Sequence, residues 1–285
     1  MKQKRVIVIV GPTASGKTAL SIELARRYNT AIISADSRQC YKELNIGVAK
    51  PPGEALRSIQ HYFINSHSIH DEVNAEVFEQ YALNAVEEIF KWNDTAIMVG
   101  GTGMYIKAFC EGLDEIPLVD PSIRNEIVSA YKQNGLTWLQ DEIKKRDPVF
   151  WQQAEQQNPQ RLMRALEVLH STGISITHFR TKRKKERPFR IIKLGIFLPK
   201  QQLYAHIDKR TDEMIVHGLV DEVRSLYAYK DLNALQTVGY SEIFEFIDNK
   251  ITLDDAIHKI KQNTKQYAKR QTTWFNKDKS IFHLS

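Results

Sequence analysis

The sequence predicts an α/β fold, an open parallel sheet flanked by helices and interrupted by a helical insertion. Three observations predict it. Apolar, β-branched runs alternate with amphipathic stretches along the first part of the chain. After Gly112 the rhythm changes: Ile123 to Thr172 shows helical patterns and no strand, and a basic run follows. A strand-like run, Ile191 to Leu198 (IIKLGIFL), then resumes the core. Residues 1–111 and 191–285 are expected to form the core, and residues 112–190 the insertion.

Val6 to Val10 is a continuous apolar run closed by Gly11, the pattern of a strand buried on both faces. Leu20, Leu24 and Tyr28 follow at helical spacing. Thr30 to Ala35 (TAIISA) reads as a second buried strand. Ala75 to Phe90 reads as an amphipathic helix whose inner face carries Phe78, Tyr81, Ala82, Ala85 and Ile89. Thr95 to Val99 (TAIMV) is a third strand, ending in Gly100-Gly101-Thr102-Gly103. In the insertion, Ile123 to Thr172 is helical; Arg161 to Thr172 is clearest, with Leu162, Ala165, Leu166 and Leu169 as its stripe. The last helix runs from about Leu253 to Phe275. Its Lys261, Lys265 and Lys269, four residues apart, read as a solvated basic face.

The 285 residues are 42% hydrophobic and 26% charged, which excludes a disordered, collagen-like or disulfide-stapled chain. Cys40 and Cys110 cannot make a disulfide framework, and no Cys/His pair has zinc-finger spacing. A reducing compartment fits. The apolar run before Gly11-Pro12 is too short for a secretion signal, and nothing approaches the roughly 18 residues of a spanning helix. A soluble cytoplasmic protein with no membrane partner is expected, as a monomer. The net charge of +6 is concentrated: Arg180 to Arg190 (RTKRKKERPFR) holds seven basic residues and one Glu, and the remainder balances. That run fits either one polyanionic partner at one place or a solvated loop that binds nothing.

Gly11-Pro12-Thr13-Ala14-Ser15-Gly16-Lys17-Thr18 fits G-x-x-x-x-G-K-[ST] between a predicted strand and a predicted helix, the P-loop pattern of ATP-binding proteins. Such a loop turns backbone N–H groups toward phosphate oxygens at a helix N-terminus. Lys17 adds a mobile positive charge, and the Thr18 hydroxyl can ligate Mg²⁺. Asp36 follows the second strand and should face the same cleft, since ligands of open parallel sheets bind beyond the strands' carboxyl ends. A carboxylate there can accept a proton from a nucleophile; it can equally form a turn. The third strand ends in Gly100-Gly101 where an ATPase often has a metal-holding Asp, which suggests that the phosphates are a leaving group. Arg161 and Arg164 share a helix face and suit phosphates or bases. His61, His67 and His70 match no metal signature and are read as structural or surface residues.

Six strings in order complete the pattern: GPTASGKT, DSRQCYKELNIGVAKP (Asp36 to Pro51), VGGTGMYIKA (Val99 to Ala108), NPQRLMRALEV (Asn158 to Val168), VGYSE (Val238 to Glu242) and KQYAKRQTTWF (Lys265 to Phe275). Together they resemble the bacterial tRNA dimethylallyltransferases, also called tRNA isopentenyltransferases. The resemblance implies a P-loop NTPase-like parallel sheet with a helical insertion domain contacting tRNA. It implies transfer of a dimethylallyl group from dimethylallyl diphosphate to the exocyclic amine of the adenosine just 3′ of the anticodon. Gly11 to Thr18 would then bind the diphosphate, with Lys17, Thr18, Mg²⁺ and Arg210 meeting the departing charge. Asp36 would take the proton of the amine beside Thr102. Asp36, Ser37, Arg38, Gln39 and Thr102 would seat the anticodon-loop bases. Arg124, Gln160, Arg161, Leu162, Met163, Arg164, Gly239 and Tyr240 would complete the tRNA contacts. Asn45, Val48, Asn65, Lys265 and Asn276 depart from the family pattern.

A small-molecule kinase using ATP would also suit the P-loop, the sheet and an arginine-bearing insertion. The basic segment and the missing strand-end Asp argue against it. A non-catalytic RNA-binding protein is the third reading, opposed by the intact Lys17, Thr18 and Asp36.

Overall fold

The computed structural model describes residues 3–181 and 183–284. Met1, Lys2, Ser285 and, in the basic run, Lys182 lie outside the described residues. The chain divides into two compact units: one up to Gly112 and again from Glu186, the other Leu113–Lys185.

The first unit opens with β1 (Arg5–Val10), α1 (Lys17–Tyr28), β2 (Ile32–Ala35), α2 (Gly53–Ser58), β3 (His61–Tyr62), α3 (Ala75–Ile89), β4 (Thr95–Gly100) and α4 (Gly103–Glu111). The second unit holds α5 (Pro121–Arg146), α6 (Pro148–Gln153), α7 (Pro159–Thr172) and α8 (Ile176–Phe179). The first resumes with β5 (Arg190–Ile196), α9 (Lys200–Val216), α10 (Leu219–Ser225), α11 (Tyr240–Ile247), α12 (Leu253–Phe275) and β6 (Ile281–Leu284).

Among the described residues six strands lie in the order β3-β2-β4-β1-β5-β6, and every pairing is parallel. Val10 pairs with both Gly100 and Gly195, so β1, β4 and β5 release their loops along one edge. The alternation in β1 explains its unbroken apolar run. Val6, Val8 and Val10 pack on one face of the sheet, Ile7 and Ile9 on the other. Full burial of each such side chain contributes about 1.5–3 kcal/mol. The second strand begins at Ile32, two residues later than the sequence predicts, because the Thr30 N–H still donates to the Ala25 carbonyl at the end of α1. β3 has two residues and β6 four, too few to carry a readable period.

Two expectations are corrected in this unit. The stretch from Glu186 to Arg190 groups with the first unit, where the sequence placed it in the insertion. Arg187 accounts for this: it donates to Glu79 at 2.6 Å and to the carbonyls of Ala108 and Phe109. The basic stripe of α12 is not merely solvated. Lys261 pairs with Asp212 at 2.6 Å and Lys265 with Asp208 at 2.7 Å, both on α9.

In the second unit helices are the only regular elements among the described residues. Asp120, Asp147, Asn158 and Ser175 each accept backbone N–H groups at helix starts. Gly135, at φ 75°, breaks α5 into two helical stretches. Leu139, Ile143, Phe150, Leu162, Leu166 and Ile176 form the core of this unit.

Candidate active site

The loop between β1 and α1 is held in an unusual backbone path. Gly11 has φ 150° and Gly16 φ 92°, and a Cβ on Gly11 would lie 2.3 Å from the Ile196 carbonyl oxygen. Only glycine meets both conditions at Gly11. Ala14 takes φ 63°, a conformation that costs a side-chain-bearing residue about 1–3 kcal/mol. The buried Ser15 hydroxyl has no hydrogen-bond partner among the described residues. A group left so inside a protein costs about 1–3 kcal/mol and points to a polar ligand.

A cleft of about 390 Å³ opens above this loop. Thr13 to Thr18, Asp36, Gln39, Gly101, His206, Lys209, Arg210, Tyr267 and Gln271 are among its lining. Lys17 Nζ donates to the Pro12 carbonyl. Burial pulls its ammonium down to about 7, the Arg210 cation acts the same way, and Asp36 opposes both. Burial also lowers Arg210, again against Asp36. Arg210 Nη2 donates to the Thr13 hydroxyl at 2.6 Å.

Asp36 realises both of its sequence readings. Its Oδ1 accepts the N–H groups of Arg38 at 2.9 Å and Gln39 at 3.3 Å, which makes the turn. Oδ2 carries neither bond. Thr102 Oγ1 accepts the N–H of Ser37 at 3.1 Å. Burial, with Asp36 nearby, pushes the Tyr267 phenol up to about 12, so it stays neutral.

The donor set suits a hard divalent cation held mostly by a ligand's own phosphate oxygens. Thr18 is exposed in the first turn of α1, at the cleft. Among the described residues no three His, Cys, Asp or Glu side chains group to hold a metal by themselves. His61 lies at the cleft with Nδ1 2.8 Å from the Ile59 carbonyl, and burial lowers its pKa. His67 packs on Phe63, and His70 on Tyr229.

The family model described as IPP transferase matches residues 39–278. The chain belongs to that family. A tRNA dimethylallyltransferase of Cytophaga hutchinsonii is 46% identical over 98% of this chain and 93% of its own. One from Christiangramia forsetii is 47% identical over 97% and 91%. The structure of the full-length tRNA isopentenylpyrophosphate transferase from Bacillus halodurans superposes with a TM-score of 0.72 at 32% identity, covering 99% of this chain and 90% of that one. A eukaryotic dimethylallyltransferase acting on tRNA gives a TM-score of 0.82 at 27% identity, covering 99% and 73%.

Several IPP-transferase motif positions do something other than the sequence suggested. Gly11 and Pro12 are buried and shape the loop without lining the cleft. Thr13 gives its N–H to Gln271 at 2.8 Å, which withdraws it from the phosphate donors. Gln39 lines the cleft, but its amide is committed: it accepts from Ser34 and donates to the carbonyls of Val48 and Ala49. Leu162 and Met163 are buried in the core of the second unit and cannot meet RNA there. Tyr240 is fully buried with its hydroxyl on Glu222, and the Gly239 N–H is held by Glu242. Gln160 and Arg161 are exposed on α7, and Arg124 on α5. Arg161 pairs with Glu155 at 2.9 Å and Arg164 with Glu167 at 3.2 Å. Asn45 and Asn65, two departures from the family pattern, both accept from Lys50.

His206, Lys209, Tyr267 and Gln271 line the cleft and were missed as site residues. The only signal was the spacing of Tyr267 and Gln271, one helical turn apart inside the last motif.

Proposed function

We propose that this enzyme transfers a dimethylallyl group from dimethylallyl diphosphate to the exocyclic amine of the adenosine immediately 3′ of the anticodon in tRNA. The observation that carries the reading is one cleft shared by a phosphate loop and a carboxylate: Asp36 stands close enough to Lys17 and Arg210 to act on the charge of both. The allylic C1–oxygen bond breaks, C1 bonds to the amine nitrogen, and the amine proton passes to Asp36. The amine is a poor nucleophile because its lone pair is delocalised into the ring, so proton removal helps the attack. Charge growing on the departing diphosphate meets Lys17, Arg210 and the loop N–H groups after Thr13. Mg²⁺, held by Thr18 and the diphosphate, would supply further neutralisation of that charge.

The adenine must leave its stack to enter the cleft. Ser37 and Arg38 border the Asp36 turn and would meet neighbouring bases. Gln160, Arg161, Arg164 and Arg124 offer the second unit's polar and cationic contacts to the RNA backbone. The cleft is completed within one chain, which supports action as a monomer. Free cysteines and a tRNA substrate support a cytoplasmic site of action. No helix among the described residues is long and apolar enough to cross a membrane. An ATP-dependent kinase is not favoured: the relatives compared are dimethylallyltransferases.

The test incubates the protein with Mg²⁺, radiolabelled dimethylallyl diphosphate and an anticodon stem-loop. Label enters RNA with the parent and not with Asp36→Ala, which still binds the stem-loop. Full transfer by Asp36→Ala would remove Asp36 from the chemistry; no transfer by the parent would remove the reading.

A further inference from the structure

The amide of Gln271 joins two walls of the cleft. Its Oε1 accepts the N–H of Thr13 at 2.8 Å, and its Nε2 donates to the Gly101 carbonyl at 2.9 Å. These backbone partners fix which way round the amide sits, since an N–H needs an acceptor and a C=O needs a donor. Gln271 is 6% exposed and its bond to the buried Gly101 is itself buried, so losing the amide would leave that carbonyl without a donor. A Cβ on Gly101 would lie 2.1 Å from Gln271 Nε2, so the close approach requires glycine there.

Each partner leads directly to reacting groups. Thr13 begins the phosphate loop proper, and Arg210 holds its hydroxyl. Gly101 precedes Thr102, whose hydroxyl takes the N–H of Ser37 and so fixes the turn that carries Asp36. One side chain on α12 therefore spans the gap between the diphosphate grip and the general base.

We propose that Gln271 is a positioning residue of the transfer reaction, setting the phosphate loop and the Asp36 turn in register with each other. It acts through Thr13 and Gly101. This rests on the prenyl-transfer reading and deepens it. A shift of about 1 Å between two such groups is enough to cost about a hundredfold in rate.

The amide chemistry makes the test directional. Gln271→Glu keeps an acceptor for Thr13 but sets a carboxylate oxygen against the Gly101 carbonyl. Gln271→Met keeps the approximate shape and loses both bonds. The experiment measures inorganic diphosphate affinity, stem-loop affinity and the kcat of label transfer in the parent and both variants. Diphosphate affinity falls at least fivefold and kcat at least tenfold in Gln271→Glu, with a smaller loss of both in Gln271→Met. Stem-loop affinity stays within twofold. Should the Glu variant fail to fold, the Met variant decides alone. Unchanged diphosphate affinity or kcat overturns the proposal. A proportional loss of stem-loop binding also overturns it, because Gln271 would then serve the fold at large. If the parent transfers no label, the functional reading fails instead, and diphosphate affinity still decides whether Gln271 sets the loop.

Discussion

Thr102 Oγ1 accepts the backbone N–H of Ser37 at 3.1 Å, which ties the end of β4 to the turn that begins at Asp36. The same turn uses Asp36 Oδ1 for two backbone N–H groups. Thr102 thus shares in aiming the other oxygen, Oδ2, whether or not it touches substrate. Thr102→Ala removes the acceptor and leaves the Ser37 N–H loose. Single-turnover label transfer should slow roughly 10–100-fold, with donor KM little changed. Thr102→Ser keeps the oxygen and should restore most of the rate. An Ala variant as fast as the parent contradicts the positioning role.

Lys17 gives the site a pH dependence. Its pKa is lowered from 10.5 to about 7, by burial first and by Arg210 second. The ammonium is the form that grips a diphosphate, so donor affinity should fall above pH 7, gently at first and approaching about tenfold per unit further above the pKa. Folding runs the other way. Between about pH 7 and 10 the unfolded chain binds the extra proton, so stability rises with pH across that window. Donor KM measured from pH 6 to 9 checks the first sign, and urea unfolding of the parent against Lys17→Met checks the second. A flat donor KM across pH 7 would show that Lys17 stays charged.

Tyr240 tests what motif membership means. Its hydroxyl donates to Glu222, whose carboxylate also accepts the N–H groups of Ile46 at 2.8 Å and Gly47 at 3.1 Å. Gln39 holds the following carbonyls of Val48 and Ala49 from the cleft side. The loop from Ile46 to Ala49 is therefore braced on both sides. Tyr240→Phe deletes one hydrogen bond to a charged group, worth about 1.5–3 kcal/mol. Tm should fall by roughly 5 °C at about 2–4 °C per kcal/mol, while stem-loop affinity stays at the parent value. Weaker RNA binding at normal Tm would return Tyr240 to the RNA surface.

The phosphate loop, Asp36 and the strands β1, β2 and β4 were legible because their signals are local: an apolar run, a glycine, an acid where a strand ends. The α9 and α12 contributions were mostly not. Gln271 meets Thr13 across 258 residues of sequence, and in its own helix it looks like any polar position. Only the fold brings the two together. Motif strings misled in the other direction at Leu162, Met163 and Tyr240. A recurring string contains the residues that touch a ligand and also those that hold the touching residues in place, and the string alone does not separate them.

Arg161 and Leu162 make that separation measurable, since they are neighbours on α7 with opposite surroundings. Leu162 is fully buried in the second unit's core, whereas Arg161 is exposed and pairs across the surface with Glu155. Leu162→Ala should cost about 2–5 kcal/mol of stability through the cavity it leaves. Arg161→Ala should change stability by less than about 1 kcal/mol, as exposed ion pairs do. Its effect should fall on RNA: weaker stem-loop binding at low salt, and a slope of log affinity against log salt reduced by about 1. Thermal unfolding and stem-loop titrations between 50 and 200 mM salt, about the range over which phosphate contacts are lost, distinguish the two. If Arg161→Ala leaves both affinity and slope unchanged, its pairing with Glu155 is the whole of its role.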